Sequence, residues 1–233
     1  MIYITGDTHG RFERIETFCR DNNTTTDDII IILGDLSMNY YLDARDEYLK
    51  REVAKLPITI FAIHGNHEER PYNVCGYRLK EWHGGMVYVD SEYPNQIFAK
   101  DGEIYSLDDK KVVVIGGAYS VGKPIRLKKK LPWFESEQPD SKIKADVEKS
   151  LCNLNWKVDI VLSHTCPSKY IPEQLYLSYV DQTTVDRSTE EWLQKIEDSL
   201  KYKKWYFGHF HGEYQKDKLQ CLYKSIIPLG EKT

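Results

Sequence analysis

The sequence predicts an α/β fold of two packed, mixed β-sheets flanked by helices, on three observations. The first third alternates apolar runs with segments of helical spacing, the βαβαβ pattern of a parallel sheet covered by helices. Between Met86 and Ile115 the chain breaks into short strand candidates separated by turn residues. From Val158 onward, buried strands and a helix return.

Taken in order, Ile2-Tyr3-Ile4 is a short apolar strand, and Phe12, Ile15, Phe18 and Cys19 recur at helical spacing behind it. Ile29 to Leu33 is a continuous β-branched run of strand length. A helix is expected from Asp43 to Ala54, then a strand from Ile58 to Ile63. Met86–Val89, Gln96–Ala99, Glu103–Leu107 and Lys111–Ile115 are the short strands, the last two joined by a tight Asp108-Asp109-Lys110 connection. A charged helix covers Asp140 to Leu151, and Val158 to Leu162 is a buried strand. Ser188 and Glu191 have capping-box spacing at the start of a helix reaching about Leu200. Strands at Lys204–Phe207, Glu213–Gln215 and Leu219–Tyr223 close the chain. No repeat, low-complexity tract or long linker interrupts this order, so a single domain over residues 1–233 is expected.

Composition narrows the function classes. With 41% hydrophobic and 29% charged residues the chain is globular rather than disordered. No apolar run approaches the ~20 residues of a membrane span, and the first residues do not read as a secretory signal. A cytoplasmic location with no membrane partner is the expectation. The formal charge of −4 argues against bulk attraction to nucleic acid. Five scattered cysteines without a Cys-x-x-Cys pair read as reduced thiols rather than disulfides or a thiolate zinc site.

Five strings join histidine, aspartate or asparagine to glycine or serine: Gly6-Asp7-Thr8-His9-Gly10, Gly34-Asp35, Gly65-Asn66-His67-Glu68, Ser163-His164 and Gly208-His209-Phe210-His211. Each follows a strand candidate, and in open α/β sheets sites form beyond the carboxyl ends of strands. Imidazole, carboxylate and amide oxygen without thiolate suit manganese, iron or zinc better than a Cys-rich structural zinc site. Asp-x-His or Gly-Asp alone is an ordinary turn, Gly-Asn-His-Glu and Gly-His-x-His are each more telling, and no single string decides.

All five in this order resemble the signature of the calcineurin-like metallophosphoesterases, in particular the small bacterial and phage phosphoesterases. The resemblance spans most of the chain and implies a β-sandwich flanked by helices. It implies two divalent ions, manganese foremost, with iron, zinc, nickel or magnesium as alternatives. Asp7, His9 and His211 would hold one ion, Asn66, His164 and His209 the second, and Asp35 would bridge them. The activity implied is hydrolysis of a phosphate ester, monoester or diester, by a metal-bridging hydroxide. His67 would stand beside the leaving group as proton donor or imidazolium. A nuclease of the same superfamily, or a non-catalytic metal-binding scaffold, are the competing readings. The motifs leave the substrate, the native metal pair and the oligomeric state open.

Other residues divide between function and packing. Arg11 either reaches substrate phosphate or is a solvated first-turn residue. Gly116-Gly117-Ala118-Tyr119-Ser120 resembles a loop that lies beside the site in many relatives, or is a tight turn. Arg126 and Lys128–Lys130 read as a solvated charged face. His64 reads as structural, and His83 as the end of a helix. Thr165 to Arg187 is either a cap or a surface connection. The chain departs from the protein phosphatases of the superfamily at Met38 and Asn39, where they carry an aspartate that orients the catalytic histidine and a phosphate-binding arginine. Glu68 or Asp43 is the expected substitute for orienting His67.

Overall fold

The computed structural model describes residues 1–230. Its strands are β1 (Ile2–Thr5), β2 (Ile29–Ile32), β3 (Thr59–Ala62), β4 (Tyr77–Trp82), β5 (Gly85–Asp90), β6 (Gln96–Ala99), β7 (Ile104–Leu107) and β8 (Lys110–Ile115). There follow β9 (Ile160–Ser163), β10 (Lys204–Phe207), β11 (Tyr214–Lys216), β12 (Leu219–Cys221) and β13 (Ile227–Pro228). The helices are α1 (Glu13–Asn22), α2 (Ala44–Val53), α3 (Lys123–Lys129), α4 (Ser141–Asn153) and α5 (Ser188–Ser199).

One sheet runs β13-β1-β2-β3-β6-β5-β4 and the other β11-β12-β10-β9-β8-β7. Each has a parallel centre, β1-β2-β3-β6 and β8-β9-β10-β12, with antiparallel strands at its edges. Side chains alternate across a strand, so the apolar runs serve two layers at once. Ile31, Leu33, Phe61 and Ile63 meet Val112, Val114, Ile160, Leu162 and Tyr206 between the sheets. Ile30, Ile32 and Ile60 turn outward onto Phe12, Ile15, Cys19 and Val53. On the other side, Val113, Ile115, Val161, Trp205 and Phe207 pack on Val147 and Leu151 of α4 and Trp192, Leu193 and Ile196 of α5. The expected arrangement, two mixed sheets between helical layers, is the one observed.

Local chemistry explains the element ends. Asp43 caps α2 by accepting from the Arg45 backbone N–H at 2.9 Å. Asp108 and Asp109 both take left-handed backbone, φ 47° and 59°, which matches the twist a two-residue hairpin needs.

Two expectations fail. The segment before His83 is strand β4, and His83, with φ 49°, turns the hairpin into β5 rather than ending a helix. Its cross-strand pairing with β5 outweighs the local pattern. The Ser188–Glu191 capping box does not form: α5 has no side-chain cap of its own, and Ser188 Oγ lies 3.4 Å from Gln138 Oε1. Asp186 Oδ1 accepts instead from the Ser188 backbone N–H at 2.9 Å. All five cysteines are free. Among the described residues no helix is long and apolar enough to cross a membrane.

Leu162 is fully buried between the sheets. Leu162→Ala is expected to cost about 2–5 kcal/mol, read as a lower urea midpoint with an unchanged slope.

Candidate metal centre

The strand order sends the carboxyl ends of β1, β2 and β3 toward those of β9 and β10. Hydrogen bonds then tie the loops of one sheet to those of the other. His164 Nδ1 contacts the Leu33 carbonyl at 2.6 Å, and the His209 backbone N–H donates to Asp7 Oδ1 at 2.9 Å. Within the first sheet, the His9 N–H donates to the Asp35 carbonyl at 2.7 Å.

All seven predicted ligands converge at this edge, in two groups. Ligand atoms of Asp7, His9, Asp35 and His211 lie within 4.8 Å of one another, a spacing that can hold a metal ion. His9 Nε2 and His211 Nε2 are 2.8 Å apart. In the second group His164 Nε2 and His209 Nδ1 each lie 2.9 Å from Asn66 Oδ1. Asp35 reaches both groups: Oδ2 is 3.9 Å from His9 Nε2, and Oδ1 is 3.6 Å from His164 Nε2.

The donor set fits cations. A carbonyl only accepts, so His164 Nδ1 carries the hydrogen and a neutral ring offers its Nε2 lone pair to Asn66 Oδ1, itself an acceptor with the amide so oriented. Asp7 Oδ2 is buried and, among the described residues, accepts no well-aligned hydrogen bond, although His211 Nε2 lies 3.3 Å away. Facing acceptors of this kind are what a cation satisfies.

Electrostatics point the same way. Burial opposes the charge of Asp7, but His211 and His164 outweigh it and hold the carboxyl below its ordinary range. For Asp35 burial is again overcome, by His164, His67 and His9. Burial pushes His209 down to about 3 and His67 to about 4, so neither is charged at neutral pH in the protein by itself. His211 is opposed by burial yet raised by Asp7, so a bound cation must displace a proton there at mildly acid pH.

The backbone is bent to this purpose. His9, Asp35, His209 and His211 all lie in left-handed conformation, with φ of 49°, 52°, 67° and 51°, and such strain gathers at functional sites. Gly34, at φ 105°, leaves the space that the His164 ring fills; a Cβ there would run into His164 Nδ1.

Several supporting roles were not legible in the sequence. Glu68 is fully buried and accepts from the backbone N–H groups of Gly65 at 3.0 Å, Leu36 at 3.1 Å and Ser37 at 3.2 Å. It ties the Asp35 and Asn66 loops together and does not orient His67. Asp43 is a helix cap, so neither expected substitute contacts His67. What holds His67 is its own backbone N–H, donated to Asp35 Oδ1 at 2.8 Å, with the rings of His9 and Tyr40 beside it. Met38 is core, and Asn39 Oδ1 accepts from the Tyr77 hydroxyl at 3.1 Å. Arg14 donates to the Gly6 and Asp7 carbonyls at 2.8 and 2.9 Å. Only the Gly-Asn-His-Glu string hinted at Glu68, and no local signal marks Arg14.

Two clefts open at His67. One is lined by Tyr119, Ser120, Phe210 and the segment from Leu175 to Arg187. The other is lined by Tyr40, Arg45, Asp46 and Arg126. The segment 165–187 therefore covers the site in part. Arg11 is exposed and borders neither cleft, whereas Arg126 borders the second and donates to the Tyr40 hydroxyl at 2.5 Å.

Glu68→Ala removes the acceptor of three backbone donors. It should destabilise the fold by at least about 3 kcal/mol and lower metal retention, checked by denaturant melts and by elemental analysis after gel filtration.

A family model described as calcineurin-like phosphoesterase matches residues 1–213. No curated protein matches the chain. Among solved structures, TT1561 of Thermus thermophilus aligns at 13% identity with a TM-score of 0.52, covering 95% of this chain and 87% of that one. An archaeal phosphodiesterase aligns at 13% identity and a TM-score of 0.36, over 95% and 81% of the two chains. The phosphopantetheinyl hydrolase of Mycobacterium tuberculosis aligns at 11% identity and 0.46, over 95% and 87%. At such identities the first of these likenesses is one of fold, and the family match carries the activity. The chain belongs to the calcineurin-like phosphoesterases, metal-dependent hydrolases of phosphate esters.

Proposed function

We propose that the protein hydrolyses phosphodiesters at a centre of two divalent ions. Asp7, His9 and His211 would hold one ion and Asn66, His164 and His209 the other, with Asp35 between them. The observation that carries this reading is the position of Asp35, whose two carboxylate oxygens each face one group of ring nitrogens. Nitrogen and oxygen donors without thiolate fit manganese, and also iron, zinc, nickel or magnesium. When bound, such ions supply Lewis-acid polarisation of phosphoryl oxygens and a nucleophile from water near neutral pH.

The chain's own residues do the rest. The buried carboxylates of Asp7 and Asp35 stay charged and offset the charge of the cations. His67 borders both clefts, and a diester has two ester groups, one for each cleft. A phosphate beside the His67 ring favours its imidazolium, which burial and Arg126 otherwise disfavour. From there the proton passes to the leaving oxygen. A nuclease is the second reading, supported by Lys123, Arg126, Lys128 and Lys129 of α3, which carries no acidic residue. The net charge of −4 weighs against it.

Metal-stripped protein given Mn²⁺, Zn²⁺, Ni²⁺ or Mg²⁺ singly should recover hydrolysis of bis-p-nitrophenyl phosphate more than of p-nitrophenyl phosphate. Asp35→Asn should lose at least about a hundredfold in turnover and bind less metal. Full activity in that variant would remove the two-ion assignment. His67→Ala should cost about 10²–10⁴-fold with poor alkoxide leaving groups and much less with p-nitrophenolate. An equal loss with both would exclude proton donation by His67. Cleavage of single-stranded DNA that collapses with added salt would select the nuclease instead.

A further inference from the structure

We infer that the cleft under the 165–187 segment is a specificity pocket for a heteroaromatic ring carried by the diester, with Ser120 and Glu190 reading the polar edge of that ring. This rests on the phosphodiesterase reading and names the group that one arm of the substrate carries.

The segment is built down onto the site. Gly212, just past the last candidate ligand, leaves room for the Leu175 side chain, which a Cβ at that glycine would strike. Arg187 fixes the segment from its other end: Nη2 donates to Gln182 Oε1 at 3.0 Å, and the guanidinium lies 5.3 Å from the Tyr176 ring centroid. Between segment and site is a cavity of about 130 Å³ with an open mouth. Leu175, Tyr176, Leu177, Val180, Val185 and Phe210 wall it, while Asp35, Asn66, His67 and His209 border the same space. An aromatic and aliphatic wall beside a phosphate centre suits a flat ring attached through the ester.

Two polar atoms make the pocket selective. Ser120 and Glu190, 2% and 5% exposed, both line the pocket. Among the described residues, Ser120 Oγ and Glu190 Oε2 find no hydrogen-bond partner. Glu190 Oε1 is already engaged by the Thr165 hydroxyl at 2.7 Å, so a single carboxylate oxygen remains to accept one N–H. The Ser120 hydroxyl can donate to a ring nitrogen or carbonyl. A nucleobase edge offers both groups, and a plain aryl ring offers neither. Leaving such buried atoms unmatched is costly, which is how a site built for them rejects the plain ring.

The test uses the metal-loaded protein and three p-nitrophenyl phosphodiesters with one leaving group, their second group being methyl, phenyl or 5′-adenosyl. In kcat/KM, phenyl should exceed methyl about tenfold through ring burial, and adenosyl should exceed phenyl about tenfold through the polar contacts. Glu190→Gln should shrink the adenosyl-to-phenyl ratio. Leu177→Glu, at a 44% exposed wall position where folding is not at stake, should shrink the phenyl-to-methyl ratio. Equal rates for methyl and phenyl, or an adenosyl-to-phenyl ratio untouched by Glu190→Gln, would overturn the inference. Calorimetric titration with methyl phosphate, phenyl phosphate and adenosine 5′-monophosphate separates the two readings. Affinities rising in that order without turnover of any diester would uphold the pocket and refute the phosphodiesterase. Equal affinities would refute the pocket whatever the turnover.

Discussion

The contact from the His164 ring to the Leu33 carbonyl is the joint on which the rest depends. It links the loop after β9, in one sheet, to the end of β2, in the other, at the point where all the predicted ligands meet. It selects the tautomer that turns the His164 Nε2 lone pair toward Asn66, and it needs Gly34 for clearance. A sandwich of two sheets has no intrinsic reason to align its strand ends. Here the alignment comes from apolar packing between the sheets and is then locked by polar bonds across their edge.

That edge carries a large electrostatic cost in the protein by itself. Two carboxylates, Asp7 and Asp35, are each only 1% exposed, and burial holds His67 and His209 beside them neutral. Burying charge without full compensation is unfavourable, and a folded chain tolerates it where a function or a ligand requires it. The left-handed backbone at four of the candidate ligand positions is a second cost in the same place. Glu68 holds this strained region together by gathering three backbone donors from two loops. Stability in the layers and strain at the edge are thus divided between different parts of the same strands.

The two clefts differ in the same spirit. The one under the 165–187 segment is walled by apolar side chains, while the Arg126 cleft is polar and cationic. The strands set where the candidate ligands converge, and the long connections set what surrounds them. This matches the general division between a rigid scaffold and the loops that give it specificity.

Much of the fold, and the residues that converge at the candidate site, were legible in the sequence, because both rest on local patterns. Continuous apolar runs such as Ile29–Leu33 declare a buried strand, and glycine beside aspartate or histidine marks the strand end as a turn able to present a ligand. Tertiary structure decided the rest, since it depends on residues far apart in the chain. The role of Glu68 as a clamp rather than a partner of His67, the strand before His83, the position of Arg11 outside both clefts and the closure of Leu175 onto Gly212 follow from contacts across the sheets and loops. The sequence by itself determined which residues have the chemistry of a metal site and which strands deliver them. Packing alone determined how close those residues come and what surrounds them, because a distance across two sheets is set by every side chain between them rather than by any motif.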